Sequence, residues 1–127
     1  MHDSEHAIAK AKLAEVFTFV SVMKIEMSEI YALRGTWPEQ QFDDISGSNG
    51  TGMIKRAFST KDGSFHFELG DEPPFNNGDI VSFPLKSLKN DSPYQINNWT
   101  CSDQDIASIE TNLTTVERRF LPSICRG

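Results

Sequence analysis

Residues 7–33 read AIAKAKLAEVFTFVSVMKIEMSEIYAL, without a proline or a glycine, and Arg34-Gly35-Thr36-Trp37-Pro38 closes the run. At 100° per residue, Leu13, Val16, Phe17, Val20, Met23, Met27, Ile30 and Tyr31 share one side. That is the i, i+3, i+4, i+7 spacing of an amphipathic helix. Gly35 suits the left-handed residue that ends a helix, and Pro38 forbids continuation. About 25 residues at 1.5 Å rise predict a rod of roughly 40 Å, longer than an average domain helix. Lys24 falls inside the apolar stripe, where it is expected to carry its ammonium to the edge on an apolar stem.

The far side of the rod holds Phe19, Val22 and Leu33 among Glu15, Glu26 and Glu29, nearly 180° from the stripe. Isolated exposed apolar residues need no explanation. A second reading is that the helix is covered twice, by its own domain on one side and by a partner on the other.

Beyond the rod the period changes. Residues 36–52 form a loop whose stretch 43–52, DDISGSNGTG, is dense in turn formers. Its glycines do not make a phosphate cradle, because neither a Lys-Ser/Thr pair nor a helix follows. Met53 to Phe58 reads as a strand, and Thr60-Lys61-Asp62-Gly63 as a hairpin turn with Asp-Gly at its core. Ser64 to Leu69 alternates, with Phe65, Phe67 and Leu69 on one face and His66 and Glu68 on a polar one. After the loop Gly70–Gly78 comes a third strand, Asp79–Leu85, ended by Pro84. Polar residues 86–93 lead to a fourth, Tyr94–Cys101. One long helix and a strand meander make an α+β layer, an antiparallel sheet with one face on the helix. Phe58, Phe65, Phe67, Val81, Phe83 and Trp99 are expected between the two, with Met23 and Met27 filling gaps.

Length and charge narrow the function. The 127 residues suit one domain with a real core, and a net charge of -6 makes nucleic acid a poor default partner. The two cysteines, Cys101 and Cys125, are too few for a structural zinc site. They fit either free buried thiols or, better, an oxidised pair in an exported protein. Closing a loop of about 25 residues stabilises by roughly 3.5 kcal/mol in the chain-entropy model.

No segment reads as a signal peptide or membrane span, since Lys10, Lys12, Glu15 and Lys24 interrupt the first apolar run. Either the helix begins natively near His2 or an upstream piece has been removed.

Enzyme chemistry finds no footing. His2 and His6 lie in a frayed terminus ahead of the helix, His66 is on the polar face of a strand, and no Ser or Cys sits in a nucleophile elbow. The acidic pairs Asp43/Asp44, Asp71/Glu72 and Asp103/Asp105 lack calcium-loop spacing and read as solvated loops. Three Asn-x-Ser/Thr triplets, at Asn49, Asn98 and Asn112, matter only in a host that glycosylates asparagine. No cofactor is expected.

Several short motifs now stand in a telling order. The long helix ends in Tyr31-x-x-x-Gly35-x-Trp37-Pro38, a glycine-rich loop and a strand meander follow, then Trp99-x-Cys101, and Leu121-Pro122-x-x-Cys125-Arg126 closes the chain. This arrangement resembles bacterial type IV pilins of the a-type over most of its length. The resemblance implies one pilin-like domain over 1–127: helix 7–34, connecting loop 36–52, meander 53–101 and a C-terminal loop 101–125 bounded by a Cys101–Cys125 disulfide. It implies an absent apolar half-helix upstream, methylated after processing, which anchors the precursor in the inner membrane and later packs in the fibre. It makes the chain a structural subunit for adhesion, twitching motility or DNA uptake. Its partners are other pilin subunits and the inner-membrane assembly machinery, with the clipped domain monomeric in solution. Phe19, Val22 and Leu33 become filament-contact candidates. The 23 residues between the cysteines exceed the compact loops of many relatives, and a hairpin around Ile106–Val116 accounts for the excess.

Two alternatives belong to related machinery. A minor pilin that captures DNA needs a basic stripe, for which Lys55, Arg56 and Lys61 on one hairpin and Arg118, Arg119 and Arg126 near the end are the only clusters. A type II secretion pseudopilin relies on calcium where pilins use the disulfide.

Overall fold

A computed structural model describes residues 2–45, 52–85, 99–101 and 112–126. The expected rod is present but divided: α1 spans His2–Phe17 and α2 spans Val20–Arg34. At the junction Thr18 turns its hydroxyl onto the Glu15 carbonyl at 2.6 Å, and Phe19 N–H bonds Val16 O at 3.0 Å. A threonine that bonds back to its own helix, in a run of β-branched and aromatic residues, tightens the turn locally. The interruption re-aims Phe19. Expected on the outer side, it is half-buried and packs against the core. Gly35 closes α2 in the left-handed conformation, φ 77°, its N–H on Tyr31 O at 2.8 Å.

The stripe otherwise lies where its spacing places it. Leu13, Val16, Met23 and Met27 are buried, and Phe17, Val20 and Ile30 pack half-buried against the same core. Lys24 is half-buried, and burial lowers its pKa.

Three antiparallel strands follow in order: β1 Ile54–Ser59, β2 Phe65–Leu69 and β3 Ile80–Phe83. The fourth expected strand, 94–101, falls outside the described residues except at its end, where Trp99 bridges Leu85. Both edges of the sheet are occupied. Phe42 N–H bonds Ala57 O and Ser59 N–H bonds Gln40 O on the β1 side, both at 2.8 Å. On the β3 side Thr115 N–H bonds Ile80 O at 2.9 Å, and the Thr114 hydroxyl accepts from Ser82 N–H at 2.9 Å. Residues 40–42, expected only as connecting loop, thus serve as an edge cover.

Two further expectations change. The register between β1 and β2 slips between Ile54 and Arg56. This bulge resets the alternation, so Ala57 and Ser59 share the inner face with Phe65 and Phe67. Phe58, expected between sheet and helix, therefore lies on the opposite face, stacked on His66 with centroids 4.8 Å apart. His66 is on its expected face, but that face is not solvated: the ring is 0 % exposed.

The expected inter-cysteine hairpin, 106–116, also lies outside the described residues up to 111. From 112 the chain covers the edge of β3, then makes two 3-10 turns, Arg118–Phe120 and Ser123–Arg126.

Candidate assembly surface

The side of the rod away from the sheet is the first surface to consider. Counted in alternating threes and fours, positions 8, 11, 15, 18, 22, 25, 29 and 32 are all exposed. Ile8, Ala11, Val22, Ile25 and Ala32 make this row largely apolar. Val22 is 42 % exposed, Ile25 50 %, and Leu33, beside the row at the end of α2, 86 %. Two of the three residues singled out from sequence, Val22 and Leu33, stand there, whereas Phe19 does not. Ile8 and Ile25 were missed; the three-four spacing, which is that of a helix–helix seam, is the signal that finds them.

The two ends of the rod are held by different parts of the chain. At the C-terminal end Tyr31 lies against Trp37, centroids 4.2 Å apart, and Trp37 is edge-on to Trp99 at 5.7 Å. Trp99 donates its indole N–H to Gly63 O at 2.7 Å, tying this aromatic group to the hairpin turn. Gly63 has φ 94°, and a Cβ there would stand 2.5 Å from Leu85 and 3.0 Å from Trp37. Only glycine fits.

At the N-terminal end the tail of the chain grips the first turns of α1. Phe120 is buried, edge-on to His6 at 5.7 Å and to Phe75 at 5.8 Å. Arg119 lies over the Phe120 ring at 4.2 Å and pairs with Glu5 at 3.0 Å. The tail is pinned by the disulfide Cys101–Cys125, with Cα atoms 4.7 Å apart across 24 residues. A loop of that length contributes roughly 3.5 kcal/mol by restricting the unfolded chain.

The basic clusters do not form a free cationic stripe. Arg56 bonds Glu68 at 2.8 Å and covers the Phe58 ring at 4.1 Å. Arg119 is shared between Glu5 and Glu117, and hydrogen bonding to Glu117 first, then Glu5, raises its pKa. Arg118 donates to Arg126 O at 2.6 Å. Lys55 and Lys61 are exposed. Asn112, one of the three possible glycosylation sites, is exposed, and its side-chain oxygen accepts from Thr114 N–H. Asn49, Asn98, Asp103 and Asp105 lie outside the described residues.

A rod packed on an antiparallel sheet, with an exposed apolar row and a disulfide-pinned tail, defines an α+β module. Residues 9–126 match the pilin family of bacterial filaments, and the chain belongs to that family. No curated protein matches it in sequence. Pilins are structural proteins, not enzymes, and assemble with other pilin subunits into filaments. This chain is a pilus subunit, and the family places such subunits in an extracellular filament. Among the described residues no helix is long and apolar enough to cross a membrane.

Proposed function

We propose that this chain is a type IV pilus subunit that polymerises through its N-terminal helix into a surface filament for adhesion, motility or DNA uptake. One observation carries the reading. A rod sealed by its own core on one side keeps Val22, Ile25 and Leu33 exposed on the other. A lone domain gains nothing by holding such a row in water, whereas a fibre buries it between subunits. Delivery to the fibre requires the inner-membrane assembly machinery, and the chain alone remains monomeric.

The test expresses the subunit in cells lacking their own copy, with filaments counted by electron microscopy. Val22→Asp combined with Ile25→Asp is expected to cut filament number more than tenfold. The melting temperature of the chain should barely move, because exposed substitutions change stability by about 0.5 kcal/mol or less. Normal piliation by the double variant would remove the helix face from the assembly.

The related readings have weaker support. A DNA-capturing minor pilin needs cations that Arg56 and Arg119 have already committed to carboxylates. A secretion pseudopilin would show a large calcium-dependent rise in melting temperature and indifference to reductant, opposite to a chain pinned by Cys101–Cys125.

A further inference from the structure

Residues 112–116 lie as a strap along the edge of β3, ahead of the tail that grips α1. Thr115 and Val116 N–H bond Ile80 O at 2.9 and 3.3 Å. The other ties run through hydroxyls. Ile80 N–H donates to Thr115 Oγ1 at 2.8 Å, Ser82 N–H to Thr114 Oγ1 at 2.9 Å, and Leu113 N–H to Ser82 Oγ at 2.9 Å. Val116 is buried, whereas Asn112, Leu113 and Thr115 are exposed. A segment with so little apolar burial opens at lower free energy than the strands it covers.

The tie at Leu113 is shared with a histidine. Ser82 faces His66 in the β2–β3 register, and both are 0 % exposed. Ser82 Oγ stands 2.7 Å from His66 Nδ1, and His66 Nε2 stands 3.0 Å from Thr60 Oγ1, which donates to Asp62. While the ring is neutral, Ser82 gives its proton to Nδ1 and accepts from Leu113. Once both ring nitrogens carry protons, Nδ1–H needs the Ser82 oxygen as its acceptor. The hydroxyl proton loses the nitrogen it bonded, and a cation stands in a dry site. Lifting the strap lets water reach both at the smallest loss of packing.

We propose that residues 112–116 are an acid-released strap with His66 as its latch, so that protonating the ring frees Leu113 to Val116 from β3 while sheet and rod stay folded. The tail beyond the strap stays attached through the Phe120 contacts and the Cys101–Cys125 disulfide. The charged groups near the ring are Asp62 on the hairpin turn, and Arg56 and Glu68, which pair with each other across β1 and β2. Lys61, also on the turn, is exposed. Neither Ile80–Phe83 nor residues 112–116 contain a titratable side chain. Burial holds the ring's pKa at about 4 in the closed state, against an ordinary 6.5. The closed state thus binds the proton more weakly than the open one, and opening becomes easier as pH falls from 6.5 toward 4. Those two values give an open fraction about twentyfold larger at pH 5 than at pH 7.

Hydrogen exchange of the chain, followed by NMR and corrected for the intrinsic effect of pH on exchange, tests this. Protection of the Leu113 and Thr115 amides should fall about twentyfold from pH 7 to pH 5, and stay below that of the β2 amides at both. Phe42 N–H, bonded to Ala57 O at the opposite edge, should keep its protection. Strap protection equal to that of β2 would overturn the proposal, because the strap would then open only when the whole chain unfolds. Strap protection that is the same at both pH values would overturn it too, since His66 would not be the latch. His66→Gln should remove the pH dependence at Leu113 and Thr115. The Thr115 hydroxyl also donates to Asp79 at 2.9 Å, a second tie that acid can cut. Asp79→Asn should therefore leave the twentyfold change in place, and decides the matter if His66→Gln does not fold. A change abolished by Asp79→Asn would move the latch to Asp79 and overturn the role of His66.

Discussion

Both faces of the sheet bury side chains, and they are held by different physics. On the inner face Phe65, Phe67 and Phe83 join Leu69 and Val81 in one core with Leu13, Val16, Met23 and Met27 of the rod. Apart from Ser59 Oγ, which donates to Pro38 O at 2.7 Å on the β1 side, what is directional there is ring geometry, such as Phe65 stacked on Phe83 at 5.1 Å. The outer face buries Phe58, His66 and Ser82. There a chain of hydrogen bonds does the work. Leu113 N–H bonds Ser82 Oγ at 2.9 Å, and Ser82 Oγ lies 2.7 Å from His66 Nδ1. His66 Nε2 lies 3.0 Å from Thr60 Oγ1, which donates to Asp62 at 2.8 Å. Since Thr60 gives its proton to Asp62, it accepts from Nε2–H, and Nδ1 accepts from Ser82. The neutral ring satisfies every bond in this chain. Hydrophobic burial tolerates a change of shape, whereas a buried polar chain tolerates no change of proton count.

The largest effect should come from the inner face. Phe65 is 0 % exposed, and Phe65→Ala removes a ring touching Phe67, Phe83 and Trp99. Denaturant melts of the chain are expected to show a loss of about 3–5 kcal/mol. The loss should be the same at pH 7 and pH 5, because nothing in the packing it removes titrates. A loss that grows on acidification would mean the two faces are not separable.

The outer face should behave in the opposite way. Burial, the largest influence, lowers the His66 pKa to about 4 from 6.5; Asp62 raises it and Arg56 lowers it. Because the folded pKa lies below the unfolded one, the contribution is fully present above about pH 6.5. It is lost as pH falls toward 4, where the unfolded chain takes a proton that the folded chain refuses. A shift of this size corresponds to an upper figure of about 3 kcal/mol across that window. His66→Gln should lower stability at pH 7 and flatten the slope between pH 6.5 and 4. An unchanged slope in the variant would show that the wild-type acid sensitivity comes from carboxylates alone.

These two faces also divide what was legible in advance. Phe65, Phe67, Leu69, Val81 and Phe83 are found where strand alternation puts them, and Asp62-Gly63 turns the hairpin. Periodicity reports a buried stripe well because it needs only neighbours along the chain. It did not find the β1 bulge that carries Phe58 to the other face, since one extra residue leaves the composition of a short strand unchanged. Nor did it reveal that His66 is covered. One of the groups that satisfy it, Ser82, lies on β3 and is itself held by Leu113, both remote in sequence, and although Thr60 is near, a polar residue on an alternating strand reads by default as solvated. The division of the rod at Thr18–Phe19 escaped for a related reason, because a threonine hydroxyl bonding its own helix has no signature in the spacing. On the assembly side the outward position of Val22 and Leu33 was legible and that of Phe19 was not, the same break having turned it inward. Ile25 could have been found by testing a three-four period beside the helical one.

Arg56 offers the smallest and most selective way to probe the difference, because it sits at the border of the outer face. Its guanidinium bonds Glu68 at 2.8 Å and lies over Phe58, the ring that stacks on His66. Arg56 is more than a third exposed, so the ion pair is screened, and Arg56→Ala should cost only about 1 kcal/mol or less at pH 7. The more telling response is at the histidine. Arg56 is one of the influences that hold the His66 pKa down, so its removal should move the His66 titration, followed by NMR, toward higher pH. The acid loss of stability would then shrink, because folded and unfolded pKa values approach each other. Arg56→Lys keeps the charge without the planar stack, and should leave the titration nearly in place while losing part of the stability. If both variants move His66 equally, the coupling runs through the Phe58 stack and not through charge. The outer face would then be packed as the inner one is, with its hydrogen bonds secondary.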